Sequence, residues 1–365
     1  MRWKECASRL GHKSVFWSAL GILVASLLFG CGGGGGGGLT APTQILEQEN
    51  NSFRLAVINA LEEALGRQAN IKVRKDNFTA LLLDGEGSIV VVAGIEDAEK
   101  LSLEQLARGA DVMFIFVRGT QGSQLPSGFY IVRVQQVSTS PGTAPATQWI
   151  AQIRDMRGEV KAETEVEVGN GNPNLQVPKI MVSFEDGYVN FGYYAGGFFL
   201  YRTRYTGGYF LYSFDNPDPD LTPLPQAGSK IVNAAKKFYK RALEVSGSSG
   251  PMILATTYDG LFLHAAAPGL ENLTLDQLKQ GADMSVNSYP PKYATIYKIR
   301  ISLSPDGRWV AKFVDEKGEI LREAPATVEE QQQETQKVKL SFEWGDERIC
   351  VDAKFGKVKV EVCIE

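Results

Sequence analysis

Leu55, Ile58, Leu61 and Leu65 recur at helical spacing in "SFRLAVINALEEALG" (52–66), and Gly66 follows as a stop signal. That period predicts an amphipathic helix. The same reading holds for "SKIVNAAKKFYKRALEVSG" (229–247), where Ile231, Ala235, Phe238 and Ala242 form one stripe. After each helix the pattern changes to short apolar runs, "TALLLD" with "SIVVVAG" and then "MILATTYDGLFLHAA", which read as paired strands. A short helix is expected next in both places. Ser102 stands three residues before Gln105 and Thr274 three before Gln277, the reciprocal cap that satisfies free amides, and Gly109 and Gly281 close the helices. Alternating segments follow. "FYIVRVQQV" and "TQWIAQIRD" turn at Arg157-Gly158 into "EVKAETEVEV", while "ATIYKIRIS" and "RWVAKFVD" turn at Lys317-Gly318 into "EILREA". Trp149 and Trp309 hold the same place in both series and read as core anchors.

The two series are a repeat. "LSLEQLARGAD" (101–111) returns as "LTLDQLKQGAD" (273–283), "QWIAQIRDMRGEV" (148–160) as "RWVAKFVDEKGEI" (308–320), and "KIMVSFEDG" (179–187) as "KVKLSFEWG" (337–345). Three collinear matches identify a tandem duplication. Short helices with meandering strands and no βαβ alternation predict an α+β class. Each of two tandem homologous domains is then an antiparallel sheet with an N-terminal helix and a second short capped helix. The expected division is a signal segment at 1–30, a Gly-rich tether at 31–51, a first repeat at 52–214, a linker at 215–228 and a second repeat at 229–365. Pro217, Pro219, Pro223 and Pro225 stiffen that linker.

"YYAGGFFLYRTRYTGGYFLYSF" (193–214) is denser in aromatics and glycines than a sheet core requires. Gly196-Gly197 and Gly207-Gly208 suit two-residue hairpin turns, so a three-strand meander is expected from Tyr188 to Phe214. Alternation gathers Tyr194, Phe199, Tyr201, Tyr205, Phe210, Tyr212 and Phe214 on one face. The opposite face takes Val189, Phe191, Tyr193, Phe198 and Leu200 among others. The first set is the candidate binding surface, because tyrosine combines a large apolar face with a hydroxyl that stays wet. The blander reading makes one face core and packs the opposite one on the rest of the chain. The matching hairpin of the second repeat is aliphatic on one face and charged on the other, so the fold itself does not demand aromatics.

The N-terminus changes the cellular picture. Arg2, Lys4, Arg9 and Lys13 precede an apolar run from Val15 to Phe29, too short for a membrane-spanning helix and of the form of an export signal. Leu28-Phe29-Gly30-Cys31 resembles the lipobox of bacterial lipoproteins. The resemblance implies lipidation of Cys31 and a chain exported to the periplasmic or outer face of the cell envelope, its membrane partner reached through the N-terminal lipid. Gly32–Gly38 then serves as a flexible tether. Of 38 Lys/Arg and 42 Asp/Glu, residues 1–30 hold four and one, leaving 34 basic and 41 acidic side chains and a formal charge of −7. Such a balance, without a basic block, offers nucleic acid no electrostatic footprint.

Beyond Cys6 and Cys31, the cysteines are Cys350 and Cys363, in "ICVDAK" and "KVKVEVCI" around a Phe355-Gly356 turn. Alternation places both with Asp352, Lys359 and Glu361 on one face of a hairpin, so a cross-strand disulfide is expected in preference to two free thiols. Catalytic chemistry is not legible. His264 is the one histidine after residue 30 and reads as a structural strand residue. No nucleophile motif, phosphate loop or zinc ligand set accompanies it, so neither cofactor nor metal is expected. Asp215, Asp218 and Asp220 read as solvated linker. "VDEKGEIL" (314–321) resembles the closing hairpin of PepSY domains, which implies a peptidase-modulating role. The leading expectation is a non-enzymatic binding or scaffolding protein that contacts an envelope protein or wall polymer. A hydrolase using unidentified carboxylates and a purely structural spacer compete with it.

Overall fold

The computed structural model describes residues 41–66, 72–119, 125–139, 146–171, 179–185, 188–201, 224–257, 260–289, 293–344 and 349–364. The first half runs α1 (Ala41–Leu65), β1 (Val73–Leu82), β2 (Ile89–Ile95), α2 (Leu103–Ala107), β3 (Ala110–Arg118), β4 (Gly128–Thr139), β5 (Ala146–Asp155), β6 (Val160–Glu165), β7 (Glu167–Asn170), β8 (Lys179–Glu185), β9 (Tyr188–Tyr194) and β10 (Phe198–Tyr201). The second runs α3 (Gln226–Ser246), β11 (Met252–Thr257), β12 (Gly260–Ala266), α4 (Leu275–Gln280), β13 (Ala282–Tyr289), β14 (Tyr293–Leu303), β15 (Trp309–Val314), β16 (Ile320–Trp344) and β17 (Ile349–Ile364).

The expected α+β class with two separate domains is not what forms. Strands dominate, and among the described residues antiparallel pairing carries seventeen of them through both halves in one network. Its large sheet has the order β6-β5-β4-β3-β2-β1-β11-β12-β13-β14-β15-β16. Residues Leu39–Glu365 are one compact unit. The reason lies in the first strand of each half. Met252–Thr257 is buried at every position, and so are Phe78–Leu82 of β1. Left as sheet edges, these apolar strands would expose unpaired backbone groups. They pair instead with each other, Ala80 with Thr256, Leu81 with Ala255 and Leu82 with Leu254. This register is symmetric about the Leu81–Ala255 pair.

A second sheet is built from β7, β10, β9 and β8 in the first half and from β16 and β17 in the second. The two parts meet where Phe184 of β8 pairs with Phe342 of β16. β16 serves both sheets, pairing with β15 near its start and with β8 near its end. β17 turns back at Phe355-Gly356, where Gly356 has φ +49°, so that Cys350 and Cys363 lie with Cα atoms 4.0 Å apart and joined by a disulfide. The two arms expected there as one hairpin are a single bent strand paired along both arms with β16.

Three layers result. α1 and α3 pack on one face of the large sheet, with Phe53 and Phe238 stacked at 5.3 Å and Val57 and Ile231 over Phe78, Ala80, Leu254 and Leu263. The opposite face packs Leu81, Val90, Ile115, Ile253 and Phe262 against Tyr193, Phe198, Leu200, Leu340 and Phe342 of the second sheet. α1 starts at Ala41, inside the stretch expected as tether, and its buried stripe is Leu46, Phe53, Val57 and Leu61. Leu55, expected on that stripe, is 59% exposed. α3 chooses the face: a stripe through Phe53 can stack on Phe238, and one through Leu55 would turn that ring toward water. In α3 the expected Ile231, Ala235, Phe238 and Ala242 are all buried.

Local details recur between halves. Both capping boxes form, with Ser102 Oγ accepting from Gln105 N at 3.2 Å and Thr274 Oγ1 from Gln277 N at 3.3 Å. Asp155 Oδ1 accepts from the amides of Arg157 and Glu159, and Asp315 Oδ1 from those of Lys317 and Glu319. Trp149 and Trp309 are both partly buried against the inter-sheet core.

Candidate binding surface

The hairpin of β9 and β10 is closed by Gly196-Gly197, with the Ala195 amide donating to the Phe198 carbonyl at 2.8 Å. Gly197 is required by a close approach. A Cβ there would stand 2.7 Å from the carbonyl oxygen of Leu101, the residue before the N-cap Ser102 of α2.

Alternation sorts the hairpin as its sequence directs. Tyr193, Phe198 and Leu200 point inward and are at most 1% exposed. The Tyr193 and Phe198 rings lie 5.7 Å apart, and the Tyr193 ring reaches across to the backbone of Gly94 on β2. Burial, with a smaller contribution from the nearby Glu99 carboxylate, pushes the Tyr193 hydroxyl well above the usual phenol range.

The opposite face points away from the core. Tyr194 and Phe199 are opposite each other in the register, half-buried, and stacked with centroids 6.2 Å apart and planes 21° apart. Across that row stand Lys179 of β8, Tyr194, Phe199 and Gly169 of β7. Two residues along the register the paired positions are Met181, Gly192, Tyr201 and Glu167. Each row therefore sets a glycine beside an aromatic residue. At Gly169 the contact is direct, since an added Cβ would be 2.7 Å from Phe199 Cζ. The ring covers backbone that carries no side chain.

The structure thus brings Tyr194 and Phe199 together and places the backbone of Tyr201 beside them. Tyr205, Phe210, Tyr212 and Phe214 lie outside the described residues, as do the second Gly-Gly turn and Cys31. Sequence reasoning missed Gly169 and Gly192. Gly169 meets Phe199 through the register between β7 and β10, and Gly192 meets Tyr201 through that of the β9–β10 hairpin.

The corresponding outward face of the second half carries Asp352, Lys359, Glu361 and the Cys350–Cys363 disulfide. Burial pushes the Asp352 carboxyl up to about 6, with the Lys359 ammonium and a hydrogen bond from Ser341 acting against it. Behind it, His264 lies wholly within the interior. Its Nδ1 is 2.7 Å from Asn287 Oδ1, and Asn287 Nδ2 donates to Ser285 Oγ at 2.8 Å. Its Nε2 faces the Asp352 carbonyl oxygen at 3.2 Å. Burial lowers its pKa to about 4, so at pH 7 the ring is neutral and its single N–H donates either to Asn287 Oδ1 or to the Asp352 carbonyl. The histidine therefore ties the two sheets together with no solvent path to a substrate. Among the described residues no helix is long and apolar enough to cross a membrane. Comparison with protein-family models, with curated proteins and with solved structures finds no match.

Proposed function

We propose that this chain is a lipid-anchored binding or scaffolding protein of the cell envelope, non-enzymatic, whose contact surface is the outward face of β8, β9, β10 and β7. One observation carries the reading: the Tyr194–Phe199 stack lies on the face that the core does not use. Tyr193, Phe198 and Leu200 already supply the packing the hairpin needs. The matching face of the second half is polar, so the fold does not account for rings here. A flat apolar strip bordered by Lys179 and Glu167 suits the faces of sugar rings with their hydroxyls left wet, and the partner is a wall polysaccharide. The anchor rests on the resemblance of Leu28–Cys31 to a lipobox, with α1 beginning shortly after the glycine run.

The test is co-sedimentation of the purified protein with insoluble wall polymer. Tyr194→Ala with Phe199→Ala lowers the bound fraction at least tenfold while the far-ultraviolet spectrum stays unchanged. Sedimentation equal to that of the unaltered protein removes the reading. Retention on envelope proteins in place of the polymer overturns the polysaccharide as partner.

A further inference from the structure

The polar face of the second half holds a convergent set of soft and hard donors. Cys350 Sγ, Cys363 Sγ and a Glu361 carboxylate oxygen all lie within 4.8 Å of one another. Cys363 Sγ and Glu361 Oε1 are 3.7 Å apart. Ligands on one tetrahedral zinc, at about 2.3 Å for sulfur and 2.0 Å for oxygen, stand roughly 3.5 Å apart. This edge is therefore already at coordination distance without backbone movement. Lys359 Nζ holds the second carboxylate oxygen, Glu361 Oε2, at 3.4 Å and so leaves Oε1 turned toward the sulfurs. Cys350 is buried, while Glu361 and Cys363 are half-buried and so in contact with solvent.

The geometry points to a redox-gated zinc site made by Cys350, Cys363 and Glu361. In the oxidised chain the two sulfurs are bonded to each other and the site is closed. A dithiol reductant cleaves that bond, becomes a disulfide itself and leaves two protein thiols. Zn²⁺ then displaces both thiol protons to solvent and is held by two thiolates and the carboxylate, with water in the fourth position. The three ligand charges and the ion sum to −1, which the Lys359 ammonium offsets. The repeat does not explain the triad, because the same face of the first half carries Tyr194 and Phe199. The site shares no residue with the aromatic face, so either assignment can fail without the other.

Zinc uptake by the full chain is measured by competition with a chromophoric chelator, before and after reduction with a phosphine, which takes the sulfur-bridge oxidation as its oxide and competes little for zinc. One Zn²⁺ per reduced chain and none per oxidised chain is expected. Cobalt in place of zinc gives a thiolate charge-transfer band. Glu361→Gln weakens uptake about tenfold or more, and alkylation of the reduced native chain abolishes it without any substitution. The assignment is overturned if reduced protein takes up no zinc, or if uptake survives alkylation.

Discussion

His264 of β12 and Asp352 of β17, 88 residues apart, are joined across the interior by the imidazole Nε2 and a main-chain carbonyl at 3.2 Å. The register gives this contact a built-in control. His264 pairs with Asn287 where the first half pairs Val92 with Ile115. The double change His264→Val with Asn287→Ile therefore restores a packing the fold already uses. Either single change leaves a buried polar group without its partner. The singles are expected to cost about 2–3 kcal/mol each, and the double less than their sum, as read by urea unfolding.

The same pair shapes the dependence of stability on pH. His264 has a folded pKa of about 4 against an ordinary 6.5. The unfolded chain takes up that proton first, so the histidine's contribution is complete above pH 6.5 and is lost as pH falls to 4, about 3 kcal/mol in all. Asp352 has a folded pKa of about 6 against 3.8. Here the folded chain takes up the proton first, so its contribution is complete below pH 3.8 and is lost as pH rises through 6, again about 3 kcal/mol. The two slopes oppose each other between pH 4 and 6. Asp352→Asn is expected to uncover the histidine slope, with stability falling steadily from pH 6.5 to 4. A slope equal to that of the native chain refutes the raised pKa of Asp352, and a variant with no fall in stability from pH 6.5 to 4 refutes the neutral, buried ring.

Gly169 and Phe199 form a second pair that substitution separates. Gly169→Ala drives a methyl into the Phe199 ring and is expected to cost about 1–3 kcal/mol. With Phe199→Ala in the same chain the clash is gone, so the two changes together fall short of additivity. A thermal unfolding cycle of the four proteins measures the coupling, and strict additivity dismisses the contact.

Pairing of β1 with β11 makes the halves unfold together. Variants retaining Trp149 or Trp309 as the only tryptophan beyond residue 30 report on the first and second half separately. Their fluorescence midpoints in urea are expected to coincide, and two separated midpoints identify independent domains. Leu81→Ala, at the centre of the junction, is expected to lower both midpoints together by about 2–5 kcal/mol of stability.

The two capping boxes are equivalent in geometry and far apart in the chain. Ser102→Ala and Thr274→Ala are each expected to cost about 1 kcal/mol. Their effects add in the double variant. A cost confined to one half shows that the helix of the other half is held by packing alone.

What the sequence determined by itself is local and periodic. The capped helices rest on a Ser or Thr three residues before a Gln, a contact made within one turn. The hairpin turns rest on Asp-x-x-Gly segments whose carboxylates bond their own backbone. The sorting of Tyr193 and Phe198 onto one face and of Tyr194 and Phe199 onto the other follows from a two-residue period, whereas which face turns inward was decided by the sheet beneath. The same period put Cys350 and Cys363 on one face, and the turn at Phe355-Gly356 brings them together.

Tertiary structure decided the rest. Whether β1 and β11 are edges or centre depends on what else can pair with them, and no window of sequence holds both strands. Leu55 and Phe53 compete for the inner face of α1, and the choice waits on Phe238 nearly two hundred residues later. Gly169 beneath Phe199 is likewise a matter of register between distant strands. The repeat announced two similar halves. It did not announce that burying the first strand of each against the other costs less free energy than keeping two exposed edges, which is why one sheet forms where two domains were expected.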